Sequence, residues 1–201
     1  MSDAAGERSA PAVIVGDRFA AAVTEAVRLH AHQARKGNRV PYVSHLLAVA
    51  GLVLEHGGDE DQAIAALLHD GPEDQGGEAT LAAITEQFGA RVGRIVAACS
   101  DTFATPKPPW RARKEAYIAH LSDAGPDVWP ITLADKVHNA RTIVSDLRAA
   151  GPASLDRFTG GRDGTVWYYR TIAERLRVLA PGALAEELVG LAAEMRALAE
   201  R

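Results

Sequence analysis

The sequence contains one cysteine, Cys99, in the apolar stretch VAACS of a 201-residue chain. A single thiol excludes an intramolecular disulfide, and such cysteine usage fits a reducing, cytoplasmic setting. Aromatic residues make up only 5% of the chain, so a core must come from the Ala, Leu and Val that dominate its 47% hydrophobic content. No apolar run approaches the roughly 20 residues needed to span a bilayer, which argues against a membrane partner. The opening MSDAAGERSAPAV has no basic segment followed by an apolar one and does not read as a signal peptide. Residues 1–16 are expected to form a flexible tail and residues 17–201 one domain. Positive charge is also short: 22 Lys and Arg stand against 26 Asp and Glu, a net charge of −4. That balance gives no overall basic field to draw the protein onto nucleic acid.

Strong helix formers outnumber β-branched and aromatic residues in most windows, and the chain is expected to be all-α, a compact domain of about eight or more helices. Helical spacing runs from about Arg18 to Arg35 and is broken by Lys36-Gly37-Asn38-Arg39. A second helix is expected from near Ser44 to the Gly57-Gly58 stop. Asp59 is placed to cap a third, DQAIAALLHD, which Gly71-Pro72 should end. Thr80 can cap LAAITEQF, and ARVGRIVAACS follows it. The stiff connector Thr105-Pro-Lys-Pro-Pro leads into WRARKEAYIAHL. Either Pro126 or Pro130 opens the segment with ITLADKVHNARTIVSDLRAAG, and two further helices follow Gly160-Gly161.

The densest chemistry lies in AALLHDGPED, residues 65–74, where an apolar helix runs into adjacent His69 and Asp70, then Gly-Pro, then adjacent Glu73 and Asp74. Alone, this could be a solvated turn. Together with His45 at the start of one helix and Asp135 in ITLADKVHN, it offers two imidazoles and two carboxylates from three helices. That set leaves positions on a six-coordinate ion for water and a phosphate oxygen, as hydrolysis requires. Mixed nitrogen and oxygen ligation suits manganese, iron or zinc better than a closed structural zinc site.

The pattern H…HD…D resembles the signature of the HD phosphohydrolase superfamily. HQARKGNRVPYVSHLLAVA, LLHDGPED, FGARV and LADKVHNART together resemble, more narrowly, the hydrolase domain of the RelA/SpoT family, and in length its free-standing small alarmone hydrolases. The likeness runs from roughly residue 18 to 180. It implies His45, His69, Asp70 and Asp135 as metal ligands, usually for manganese, and Glu73 and Asp74 as the acidic pair that positions or activates the attacking water. It implies substrate contact by Arg35, Lys36, Asn139, Thr142 and Tyr168, with Tyr169 the competing aromatic; Lys136 is expected to join them on its charge beside Asp135. The implied reaction removes the 3′-pyrophosphate from guanosine tetra- or pentaphosphate, a small-molecule partner. Pro72 departs from the small or apolar residues usual between HD and ED, and can set the acidic turn differently because proline fixes φ and removes an amide donor.

The residue types agree with that implication. An acidic protein that binds a polyphosphate must gather local cations, and three groups qualify: Arg35, Lys36 and Arg39; Lys136 and Arg141; and Lys107, Arg111, Arg113 and Lys114. The third is expected to be mainly a solvated face. His30 and His138 are expected behind the ligands or in the core, whereas His32, His56 and His120 carry no signal beyond their type. Two other functions are alternatives. A 5′-nucleotidase acting on nucleoside monophosphates would use the same four ligands but gives no reason for the Arg35-Lys36 pair or the acidic pair after His-Asp. A sensor that binds alarmone without cleaving it should have lost a ligand or the acidic pair, which this chain keeps. The choice between guanosine and adenosine, the oligomeric state and the physiological metal stay open.

Overall fold

The segment AIAALL, residues 63–68, has no polar face, and a helix apolar on all sides belongs inside a bundle. In the computed structural model, which describes residues 15–102 and 106–201, every residue of that segment is fully buried. It forms the body of α3 (Glu60–Leu68). Asp59 caps this helix: its side chain accepts from the Gln62 amide at 2.9 Å while the Gln62 side chain accepts from the Asp59 amide at 3.0 Å. This reciprocal capping box satisfies two backbone donors that a helix start leaves open.

Ten α-helices and one 3-10 turn make up the described residues, with no strand among them. Around α3 pack α1 (Asp17–Leu29), α2 (Val43–Glu55), α6 (Ala90–Cys99) and α8 (Trp129–Ala150). A short turn α4 (Gly71–Asp74) leads to α5 (Gly77–Phe88), which lies against α6. That approach is close: a Cβ added at Gly93 would lie 2.1 Å from the Thr85 hydroxyl. Helix α7 (Trp110–Ala124) precedes α8, and the 3-10 turn Pro152–Arg157 joins α8 to α9 (Gly161–Leu179) and α10 (Ala183–Ala199). Helix α10 lies along both α8 and α9. No helix is long and apolar enough to cross a membrane.

Several expected boundaries shift. Helix α1 stops at Leu29 rather than Arg35, because the chain folds back through an isolated bridge between Ala34 and Pro41. The Arg35 amide donates to Val40 and the Tyr42 amide to Gln33. Thr80 lies inside α5 and donates to the Gln75 carbonyl, so it is not a cap. Gly71-Pro72 ends α3 but starts another helical turn, where proline is tolerated because first-turn amides have no partner within the helix. Pro130, not Pro126, sits in the first turn of α8. Most of the expected tail, residues 1–14, lies outside the described residues, and the Gly16 amide donates to Glu60 at 2.7 Å.

Leu67, fully buried two residues before His69, is expected to lose about 2–5 kcal/mol of stability as Leu67→Ala, transfer and cavity terms together. Urea unfolding followed by circular dichroism checks this; a loss under about 1 kcal/mol would show a site able to collapse.

Candidate metal centre and cleft

Helix phase brings the four candidate ligands together. His45 lies in the first turn of α2, His69 and Asp70 just beyond the end of α3, and Asp135 on the second turn of α8. Their donor atoms converge. His45 Nε2 lies 3.6 Å from Asp70 Oδ2 and 3.3 Å from Asp135 Oδ1, and His69 Nε2 lies 3.2 Å and 3.9 Å from the same two atoms. Both Nε2 atoms are buried without a hydrogen-bond partner. Buried polar atoms are rarely left so, and two facing two carboxylates suit a bound cation. Burial by itself would lower the His69 pKa, but Asp70 and Asp135 outweigh it and carry it to about 9. The carboxylates thus demand positive charge at this point. His45, His69 and Asp70 bring their ligand atoms within 4.8 Å of one another, a set that could hold a divalent metal, with Asp135 beside them.

Surrounding groups fix the rings. His69 Nδ1 donates to the Ala66 carbonyl at 2.8 Å, directing Nε2 inward. His45 Nδ1 lies 2.8 Å from His138 Nδ1, and burial, followed by the neighbouring His45, lowers the His138 pKa to about 4. A neutral His138 can accept the His45 proton, which frees His45 Nε2 to bind a cation. Tyr42 donates to Asp70 Oδ2 at 2.6 Å and stacks on His30, which is buried behind it. His56 only meets the Leu52 carbonyl at the end of α2, and His32 and His120 are exposed.

The acidic pair sits on α4, and both residues line one cavity with Asp70 and Asp135. Their surroundings differ. Glu73 faces Lys107 at 2.9 Å and Arg113 at 3.6 Å. Asp74 accepts from Gln33 Nε2 at 2.7 Å, and burial, then the Asp70 charge, raises its pKa. Gln33 Oε1 is in turn held by His30 and by Gln75, both at 2.7 Å.

The expected substrate contacts gather only in part. Arg35 donates to Asn139 Oδ1 at 2.5 Å, and Asn139 donates to Asp135, so one chain of bonds joins a cleft cation to a candidate ligand. Lys136 pairs with Asp135 at 2.5 Å. Lys36, Thr142, Tyr168 and Tyr169 line a second cavity that shares Arg35, Lys136 and Asn139 with the first. The Tyr168 hydroxyl is buried without a partner, while the Thr142 hydroxyl donates to His138 within its own helix. Arg141 turns away, paired with Glu187 of α10 at 2.6 Å, so it does not flank the site.

The third basic group is not one solvated face. Arg111 is exposed and lies 3.2 Å from the centroid of the Trp167 ring. Arg113 and Lys114 point inward to Asp101, a carboxylate only 3% exposed, at 2.6 Å and 2.7 Å. Lys114 lines both cavities. Sequence reasoning passed over Gln33, which holds Asp74, and the cleft residues Tyr42 and Asp101, and left Lys114 in a group expected to be mainly a solvated face. Helical phase held a signal for the last, since Lys114 falls three and seven positions before buried Tyr117 and Leu121. Cys99 also faces the acidic cavity, where burial pushes its thiol up to about 12 and keeps it protonated.

A bundle of helices that brings two histidines and two aspartates into one cluster, Asp70 alone partly exposed, defines a helical domain with a candidate divalent-metal centre. The family model described as HD domain matches residues 22–159, and the chain belongs to that family. It is 34% identical over 121 residues to the human guanosine-3′,5′-bis(diphosphate) 3′-pyrophosphohydrolase MESH1, spanning 59% of this chain and 65% of that protein. A probable GTP pyrophosphokinase of Mycobacterium leprae is 37% identical over 117 residues, 57% of this chain but only 14% of its own length. A solved structure described as a metazoan ortholog of SpoT that hydrolyzes ppGpp superposes with a TM-score of 0.75 at 26% identity, covering 93% of this chain and 99% of that one.

Proposed function

We propose that the protein removes the 3′-pyrophosphate from guanosine tetra- or pentaphosphate-type nucleotides, with manganese as the metal, releasing pyrophosphate and a nucleoside 5′-di- or triphosphate. One observation carries the reading: Asp70 and Asp135 of the metal cluster, the acidic pair Glu73 and Asp74, and the cations Arg35, Lys114 and Lys136 all line one cavity. The names of the human and metazoan relatives support it.

His45, His69, Asp70 and Asp135 would hold the ion, which supplies Lewis acidity toward a phosphoryl oxygen and makes water easier to deprotonate. Asp74, its proton affinity raised by burial, accepts the proton of the attacking water. Glu73 holds the rim beside Lys107 and Arg113. Arg35, Lys36 and Lys136 bind the phosphates, and Asn139 orients Arg35 against the cluster. Tyr168 and Thr142 border the nucleoside end.

Arg35→Ala and Lys36→Ala are expected to raise the Michaelis constant and leave metal content intact. Each removes one charge-assisted phosphate contact, worth on the order of 1.5–3 kcal/mol. An unchanged Michaelis constant in both would reduce the pair to a surface feature. The reading itself is tested by assaying guanosine and adenosine alarmones beside nucleoside 5′-monophosphates, each with manganese, zinc and magnesium. Selective cleavage of the alarmones supports it, and turnover of monophosphates alone would replace it with the nucleotidase.

A further inference from the structure

We infer that Arg157 binds a second anionic group of the substrate, the 5′-diphosphate, at the end of the cleft away from the metal cluster. This rests on the nucleotide reading above. The second cavity, about 260 Å³, meets the acidic one across a common wall that includes Arg35, Lys114 and Lys136. Five cationic side chains line it, these three with Lys36 and Arg157, and no carboxylate does. Such a set in a chain of net charge −4 creates a local field that an anion would neutralise.

Three of the five already have partners beside the metal cluster or on Asp101. Lys36 and Arg157 differ, since both gather on Phe158, with Lys36 Nζ 5.9 Å and the Arg157 guanidinium 4.7 Å from its ring centroid. Arg157 donates to Asp146, which fixes one edge of the guanidinium. Its Nε is buried without a partner. The local backbone allows this closeness: Gly37 has φ +83°, and a Cβ there would lie 2.6 Å from Arg157 Cδ. A glycine therefore lets the turn carrying Arg35 and Lys36 close onto Arg157. Two cations brought together with no acid lining the space between them form a clamp for a diphosphate, and the planar fork of Arg157 suits its oxygens. With the 3′-pyrophosphate at the metal cluster, the remaining strongly anionic group of the substrate is the 5′-diphosphate.

The test is calorimetric binding of guanosine 5′-diphosphate, guanosine 5′-monophosphate and guanosine to the manganese-loaded 201-residue protein and to Arg157→Gln. Wild type should prefer the diphosphate to guanosine by about 10- to 100-fold, and Arg157→Gln should remove most of that preference without changing guanosine affinity. Arg157→Lys, which keeps the charge but not the fork, should fall between them. An equal weakening of all three ligands would make Arg157 merely structural, and an unchanged diphosphate preference would also overturn the inference. Binding does not depend on turnover, so a preserved, Arg157-dependent preference in a protein that cleaves no alarmone upholds the inference while the proposed reaction fails.

Discussion

Asp70→Ala is expected to lose bound metal and turnover together. Asp70 Oδ2 lies within 3.6 Å of both inward-facing imidazole nitrogens, and Tyr42 orients that same oxygen. Removing the carboxylate takes away a donor that no distant side chain can replace, and also leaves the Tyr42 hydroxyl without its acceptor. Burial opposes the charge on Asp70, yet the flanking histidines hold its pKa well below the usual carboxylate range, so it stays ionised at neutral pH. Elemental analysis and a single-turnover assay on one preparation check the prediction. Retained stoichiometric metal in Asp70→Ala would remove Asp70 from the ligand set.

The acidic pair should behave differently. Asp74→Asn and Glu73→Gln are both expected to keep the metal and slow the chemical step, Asp74→Asn by about 10²–10⁴-fold, the usual worth of a positioned general base. Glu73 sits between Lys107 and Arg113, where an ion-paired carboxylate is a weaker proton acceptor, so Glu73→Gln should cost less. Asp74 has the raised pKa and the Gln33 hydrogen bond that keep it basic and in place. Single-turnover rates with metal content on the same samples separate the roles. Near-normal turnover in both variants would leave the pair as a turn and nothing more, and metal loss in either would make that residue a ligand.

The central helix and the acidic turn were legible because local rules decide them. Asp59 followed by Gln62 signals a capped start, and the apolar run before His69 signals burial, so the end of α3 projects polar groups from the core. His45 and Asp135 could be joined to them by ligand type and the family pattern but by no local rule, since 65 residues separate Asp70 from Asp135 in sequence and only the bundle brings them together. The basic residues were harder to read. Charge alone does not tell which member of WRARK points inward, and the phase set by Tyr117 and Leu121 selects Lys114 and Arg113 over Arg111. Arg141, beside the motif, is claimed by Glu187 on α10, a contact no local rule could supply. Arg157 lies in a 3-10 turn with no apolar period, and its place beside Gly37 follows from tertiary packing alone.

Phosphorus NMR of the products reads directly which phosphate group is removed. The manganese-loaded protein is incubated with guanosine 3′,5′-bis(diphosphate), the manganese is chelated, and the spectrum is recorded. One equivalent each of inorganic pyrophosphate and guanosine 5′-diphosphate is expected. Orthophosphate as the inorganic product, or loss of phosphate from the 5′ position with the 3′-diphosphate intact, would contradict it.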